Sequence, residues 1–110
     1  MFNLGNLGDM MKMMKTMQEN MAKAKEELRN EEIIVEVGGG MVKIVVNGLG
    51  EAKDVFIDKS LLTEDNHEIL QDLLVAAINE ANARAKEVMT EKLSQAAGML
   101  GNIPGLNNLL

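Results

Sequence analysis

The sequence contains no cysteine, tryptophan or tyrosine, and its two aromatic residues are Phe2 and Phe56. Without cysteine the chain forms neither disulfides nor thiolate metal sites, which is typical of a cytoplasmic protein. Because aromatic rings are so scarce, aliphatic residues and some of the ten methionines must fill the core. The same scarcity argues against a platform on which single-stranded nucleic acid could stack.

Targeting and membrane segments are not indicated either. Residues 1–8 have neither the basic start nor the apolar run of a signal peptide. No stretch approaches the roughly 18 apolar residues of a membrane span. The length of 110 residues predicts one domain. We expect residues 1–6 and 98–110 to be flexible tails, and the second is rich in Gly and Asn, includes Pro104 and carries no charge.

Acidic side chains are concentrated in the middle of the chain. The net charge is −6, but residues 31–83 alone hold eleven acidic and three basic side chains. Residues 1–30 and 84–110 each have one more basic than acidic side chain. This distribution permits a local surface for a polyanion at the two flanks, although the net charge argues against one.

A first helix is predicted over residues 7–30. Its apolar positions alternate spacings of three and four, as in the a and d positions of a heptad. These positions are Leu7, Met10, Met14, Met17, Met21, Ala24 and Leu28. A helix of this length is longer than a small sheet could cover, so we expect one end of it to project.

Three short strands separated by glycine turns are predicted next. Alternation places Ile33, Val35 and Val37 on one face of the first strand, and the turns lie at Gly38–Gly40 and around Asn47-Gly48. Such short connections predict an antiparallel meander. A long last helix with an apolar stripe is predicted from near Asn66. The fold class is therefore α+β: a helix, a three-stranded antiparallel sheet and a long helix.

The second face of the sheet is predicted to be partly apolar. A single helical layer would leave this face exposed in a monomer, so we interpret it as a dimer interface. Its apolar residues are Ile34, Met41, Val45 and Phe56.

The sequence does not indicate a catalytic, cofactor or metal site. His67 has no nucleophile or metal motif to work with and is best interpreted as a solvated residue at a helix start. The Gly38–Gly40 run lacks the Gly-Lys-Ser/Thr ending of a phosphate loop. Thioethers can bind Cu(I), but four methionines of the first helix, at positions 10, 14, 17 and 21, follow the heptad pattern, which favours packing. The basic residues remain as functional candidates, and any DNA contact should be directed at phosphates or shape.

Three segments resemble the YbaB/EbfC family of nucleoid-associated proteins. Residues 38–48 (GGGMVKIVVNG) resemble the glycine-turn strand of the family, and 68–81 (EILQDLLVAAINEA) resemble its helix signature. Residues 57–62 (IDKSLL) resemble the strand exit, with Lys59 where the family usually has proline. The resemblance extends over nearly the whole chain.

The resemblance implies a homodimer shaped like tweezers that binds double-stranded DNA with little sequence specificity and acts at the cytoplasmic nucleoid. It implies no enzyme activity, cofactor, membrane or small-molecule substrate. The phosphate contacts that it implies are Lys12, Lys15, Lys23, Arg84, Lys86 and Lys92. The alternative is a protein-interaction module that docks a partner helix on the methionine-rich first helix, because methionine surfaces repack readily.

Overall fold

A computed structural model describes residues 4–98 of the chain. The predicted order of helix, antiparallel three-stranded sheet and long helix is confirmed. Two short 3-10 turns, Lys59–Leu61 and Glu64–Asn66, connect the last strand to the second helix. The main elements are helix α1 (Leu4–Asn30), strands β1 (Ile33–Val37), β2 (Val42–Val46) and β3 (Ala52–Ile57), and helix α2 (His67–Gly98).

Helix α1 begins earlier than the sequence pattern predicts. Residues 4–6 are helical, whereas the prediction counted them in an N-terminal tail. Helix α2 begins at His67, one residue after the predicted start, and ends at Gly98. Of the predicted tails, 1–6 and 98–110, Gly98 is the last residue of α2, and residues 1–3 and 99–110 lie outside the described residues.

Strand β2 occupies the centre of the sheet, between β1 and β3. The turn between β1 and β2 contains three consecutive glycines with positive φ, from 62° at Gly38 to 90° at Gly40. Side chains with a Cβ rarely adopt this left-handed conformation, so the glycine run is what allows so tight a turn. Both strand pairs are antiparallel, which makes the sheet the predicted meander.

A bulge interrupts the pairing of β2 with β3. Val45 lies opposite Asp54, but its neighbour Val46 lies opposite Ala52, so Lys53 is skipped. An extra residue changes the face on which the following side chains lie. The alternation pattern placed Ala52 with Asp54 and Phe56; the bulge instead puts it opposite Val46, and strict alternation cannot anticipate this.

The main core lies between α2 and one face of the sheet. Helix α2 contacts β1 and β2 through Ala77, Ala81 and Ala85, which are small enough to let the helix approach the strands closely. Leu61, from the first 3-10 turn, is also buried in this cluster. The buried strand residues are Ile33, Val35, Val42, Ile44 and Val46.

The turn after β2 anchors the C-terminal end of α1. The Gly48 amide donates to the Leu28 carbonyl at 2.8 Å, and the Leu28 side chain is fully buried. The buried Asn47 side chain accepts from the amides of Leu49 and Glu51 and donates to the Glu51 carboxylate. These bonds hold the turn in one conformation and fix where α1 leaves the sheet.

The two helices extend well beyond the sheet. The 27 residues of α1 span about 40 Å, whereas strands of five or six residues span about 17–20 Å. The molecule is accordingly 74 Å long and 25 Å by 16 Å across. The predicted projection of a helix end is present: the N-terminal half of α1 has exposed side chains throughout residues 6–19.

Candidate nucleic-acid interface

Lys12 and Lys15 lie on the projecting half of α1, and both side chains are exposed. At about 100° of rotation per residue, the two lysines lie about 60° apart around the helix axis. Lys12 lies roughly opposite Met10 and Met14 on the helix. Lys12 therefore lies on a solvated side of α1, and Lys15, one turn from Met11, lies at the edge of that side.

Lys23 lies about two turns beyond Lys15 along α1, beside the second helix. It lines a shallow groove between α1 and α2 together with Lys92, so these two predicted contacts come close to each other. The complete lining consists of Asn20, Lys23, Ala24, Glu27, Lys92, Gln95 and Ala96.

Lys92 is bound within the protein. Its Nζ lies 2.9 Å from Glu27 Oε2, and its side chain is only 29% exposed. The hydrogen bond and the charge of Glu27 raise the pKa of Lys92, and the same bond and charge lower the pKa of Glu27. Glu31 and Glu91 add to the negative potential around Lys92. This ion pair joins α1 to α2, and a phosphate would have to compete with Glu27 for the ammonium group.

Arg84 is also engaged, at the edge of the sheet. Its Nη1 donates to the Ile34 carbonyl of β1 at 3.0 Å, and its Nε lies 3.7 Å from Glu80 Oε1. Since β1 is an edge strand, the guanidinium donates a hydrogen bond to a carbonyl that would otherwise face solvent. Lys86 is exposed two residues later, about 200° around α2 from Arg84, and so points away from this edge.

The six predicted phosphate contacts therefore do not form one cluster. The structure brings Lys23 and Lys92 together, leaves Lys12, Lys15 and Lys86 exposed on helices, and uses Arg84 on the sheet edge. The intramolecular partners, Glu27 for Lys92 and the Ile34 carbonyl for Arg84, were not identified from the sequence. No sequence signal connects residues so far apart in the chain.

The open face of the sheet, the face that α2 does not cover, carries both apolar and charged side chains. Ile34 pairs with Val45 across the strands, and Phe56 pairs with Lys43. The Lys43 ammonium lies 5.8 Å from the Phe56 ring centre and 3.4 Å from Glu36 Oε1. Ile34 on β1 and Phe56 on β3 are each 52% exposed, so both outer strands present large apolar side chains to solvent on this face.

Met41 does not extend this open face as the sequence pattern predicted. It precedes β2 at the glycine turn, is half-buried and packs against the main core. Its carbonyl accepts from the Asp58 amide at 2.8 Å. The strand alternation does not extend to Met41 because the chain is already turning there.

Apolar side chains cover one side of the projecting half of α1. We call this side the methionine face. Met10 is 53% and Met14 61% exposed, although the same heptad positions are buried further along, at Ala24 and Leu28. The methionine face consists of Leu7, Met10, Met11, Met13, Met14 and Met17.

Residues 4–98 contain neither a metal-ligand cluster nor a membrane-spanning helix. Within this range no three or more His, Asp or Glu side chains are grouped so that they could hold a metal ion. Neither of the two described helices is long and apolar enough to cross a membrane.

Comparison with known proteins places these features in a family. The YbaB/EbfC DNA-binding family matches residues 3–100. A nucleoid-associated protein of Persephonella marina is 80% identical over 109 residues, covering 99% of both chains. Another from Sulfurihydrogenibium is 57% identical over 103 residues, covering 94% of each, and one from Ruminiclostridium cellulolyticum is 40% identical over 102 residues, covering 93% of this chain and 89% of the relative.

A solved structure agrees with these relatives. The crystal structure of an uncharacterized protein from Helicobacter pylori superimposes with a TM-score of 0.68 at 31% identity, covering 92% of this chain and all of that one. The family contains nucleoid-associated DNA-binding proteins, which are not a class of enzyme. From its sequence match over nearly its whole length and from its fold, this chain belongs to the YbaB/EbfC DNA-binding family.

Proposed function

We propose that this protein binds double-stranded DNA as a homodimer with little sequence specificity, at the cytoplasmic nucleoid, and so affects chromosome organisation or gene regulation. The observation that carries the proposal is the exposed pair Lys12 and Lys15 on the projecting half of α1. A helix that extends beyond the sheet can lie along a duplex while the acidic middle of the chain stays away from it.

Phosphate contacts best account for binding by such a surface. Lysine ammonium groups are strongly hydrated point charges, and they carry no information about base sequence when they contact phosphates. The two flanks of the chain are slightly basic, whereas residues 31–83 hold most of the acidic side chains. Repulsion between DNA and this acidic segment would orient the duplex toward the helix ends.

Fluorescence anisotropy on a random-sequence duplex, across about 50–200 mM salt, tests DNA binding directly. We expect log affinity to fall linearly with log salt. The double variant Lys12→Ala/Lys15→Ala should weaken binding and reduce the slope by about 1 for each phosphate that is no longer neutralised.

The matched control is Lys53→Ala/Lys59→Ala. It removes the same charge from two exposed lysines of β3 and the following 3-10 turn, outside the projecting half of α1. If both double variants lose affinity equally, the effect comes from net charge and the assignment to α1 is wrong. If the unaltered protein does not bind the duplex even at low salt, the proposed function itself is wrong.

The open face of the sheet supports the proposed homodimer. Ile34 and Phe56 are half exposed in the monomer, and pairing two such faces would remove their apolar surface from water. Lys43 and Glu36 on the same face supply polar contacts around this apolar centre. Two chains joined in this way present two projecting helix pairs to DNA, as the tweezer arrangement requires.

Light scattering with size exclusion tests this interface. We expect a dimer at micromolar concentration and a shift of at least about tenfold in the dissociation constant for Phe56→Asp, equivalent to about 1.4 kcal/mol. Leu62→Asp is the control, because Leu62 is 62% exposed but follows the 3-10 turn rather than lying on the open face. A monomeric unaltered protein, or equal effects of both substitutions, would contradict this interface.

A second candidate function is a protein-interaction module that uses the methionine face. The exposure of Met11 and Met13, which lie beside the heptad positions, favours it. Recovery of one stoichiometric protein partner in a pull-down, abolished by Met11→Ser/Met13→Ser, would support this candidate. Failure to recover any partner under conditions where DNA is bound would count against it.

A further inference from the structure

The methionine face is the uncovered half of a longer apolar stripe. In its C-terminal half, Ala24 and Leu28 are 4% and 0% exposed, because α2 and the turn after β2 pack on them. Met21 lies at the boundary and is half-buried, and every position of the stripe from Met17 back to Leu7 is exposed. The apolar stripe continues along α1 without a break. Its exposure changes at the point where α2 and the turn after β2 no longer pack on it.

Helix α2 ends at this boundary and runs toward the uncovered half. Lys92 pairs with Glu27, and Ala96, one turn later, lines the same groove as Asn20. The helices are therefore antiparallel, and each residue added to α2 moves further toward the N-terminus of α1. Gly98 is the last described residue, so the segment that follows starts next to the methionine face.

Residues 99–110 have the composition of an apolar ligand for that face. They contain no charged side chain, and half of their side chains are large and apolar. The exposed stripe from Leu7 to Met17 is about 15 Å long, and twelve residues can reach about 40 Å when extended. The apolar side chains are Met99, Leu100, Ile103, Leu106, Leu109 and Leu110.

We propose that residues 99–110 bind the methionine face of the same chain and cover it. Pro104 and the glycines at 101 and 105 make a regular helix unfavourable in this segment. A partner without regular shape needs a surface that can adapt to it. Methionine side chains are unbranched and flexible, which explains why methionine occupies the stripe where α2 no longer covers it.

This contact leaves Lys12, one of the two proposed DNA contacts on the projecting half of α1, accessible. Lys12 lies roughly opposite Met10 and Met14 on α1, so a segment bound to the methionine face does not cover its ammonium group. The contact does compete with any protein partner for that face. It is independent of DNA binding, and its failure would leave the proposed function unaffected.

A spin label on the full-length chain tests the contact. Because the protein has no cysteine, Asn107→Cys creates a single attachment site for a nitroxide in the segment. Methionine methyl groups labelled with carbon-13 then report proximity. We expect the signals of Met10, Met14 and Met17 to disappear while the nitroxide is oxidised and to return when it is reduced. Met41, at the far end of the sheet, should keep its signal.

Three other results would overturn the proposal. Equal, weak broadening of Met14 and Met41 would mean that the segment does not bind. Selective disappearance of the Met41 signal would place the segment elsewhere on the protein. Disappearance of the signals in a mixture of spin-labelled chains with separate carbon-labelled chains would assign the methionine face to a neighbouring copy.

A pair of substitutions separates the apolar contact from simple proximity. Leu106→Asp, combined with the label at residue 107, should restore the Met14 signal because it puts a charge on the apolar surface. Asn102→Asp adds the same charge without removing an apolar side chain, and the Met14 signal should remain absent. A signal that stays absent in both variants would contradict apolar docking.

Discussion

Similar sequence patterns lead to opposite burial in two halves of the molecule. One half is built on the sheet, and the other is formed by the projecting helices. Leu28 and Met14 occupy equivalent positions of one heptad pattern on one helix. Leu28 is fully buried, whereas Met14 is 61% exposed. Amphipathic spacing makes both segments helical, but burial requires a second surface at the right place, and the described structure supplies it only at one end.

This difference separates stability from function within one short chain. Hydrophobic stabilisation comes from the cluster between α2 and the sheet, where small alanines face branched aliphatic residues. Within the described residues the projecting half has exposed lysines and methionines, on which the proposed DNA binding and the proposed contact with residues 99–110 depend. Substitutions in the two halves should therefore affect different measurements.

The largest expected contrast is between Leu28→Ala and Met14→Ala. The first removes a fully buried side chain that Gly48 packs against, and should lower the free energy of unfolding by about 2–5 kcal/mol. The second changes an exposed position and should cost about 1 kcal/mol or less. Denaturant unfolding at one fixed protein concentration measures both, since a dimer's stability depends on concentration. Equal costs would show that the two halves are equally packed.

A second contrast uses two glycines. A Cβ at residue 48 would lie 2.6 Å from Leu28 Cδ2 and 3.0 Å from the Leu28 carbonyl oxygen, whereas residue 8 has open space around it. Gly48→Ala should therefore destabilise the protein by about 1–3 kcal/mol. Gly8→Ala should instead increase amide protection in α1, because alanine favours an exposed helix by about 1 kcal/mol over glycine. Destabilisation by both would mean that the projecting half is tightly packed at Gly8.

The smallest expected effect concerns the ion pair that links the two helices. Glu27→Gln removes the partner of Lys92 and should slightly lower the unfolding midpoint at neutral pH, with Glu87→Gln, an exposed position of α2, as the control. The pKa of Glu27 is lowered from 4.5 in the folded protein, so its contribution is present above pH 4.5 and is lost as the pH falls further.

The pKa of Lys92 is raised from 10.5, so the contribution of its charge is present below that pH and is lost as the pH rises further. The difference between the unaltered protein and Glu27→Gln should therefore be constant between these limits and disappear in acid. A difference that grows in acid would contradict the pairing.

Much of the fold could be predicted because its signals are local. Heptad spacing predicted α1, alternation predicted β1 and β2, and the glycines after Val37 predicted a tight turn. The errors occur where the chain departs from a regular period. The bulge at Lys53 moved Ala52 to the other face, and the turn before β2 moved Met41 toward the core.

The candidate interface was less predictable than the fold. The sequence identified the basic residues but not which of them already have partners. Arg84 binds a carbonyl 50 residues away in the chain, and Lys92 binds a carboxylate on the other long helix. Lys12 and Lys15 were candidate phosphate contacts in the sequence. Their side chains are exposed in the structure because their half of α1 extends beyond the sheet.

The sequence by itself determined the helices, the strand alternation, the glycine turns and the apolar stripe of α1, because each depends on neighbouring residues and a fixed period. Only the tertiary structure decided how much of that stripe is buried and which cations are paired. Both depend on where distant elements meet. The contact of Gly48 with Leu28 fixes where α1 leaves the sheet, and α2, packed on the sheet, meets α1 at Glu27 and β1 at Ile34.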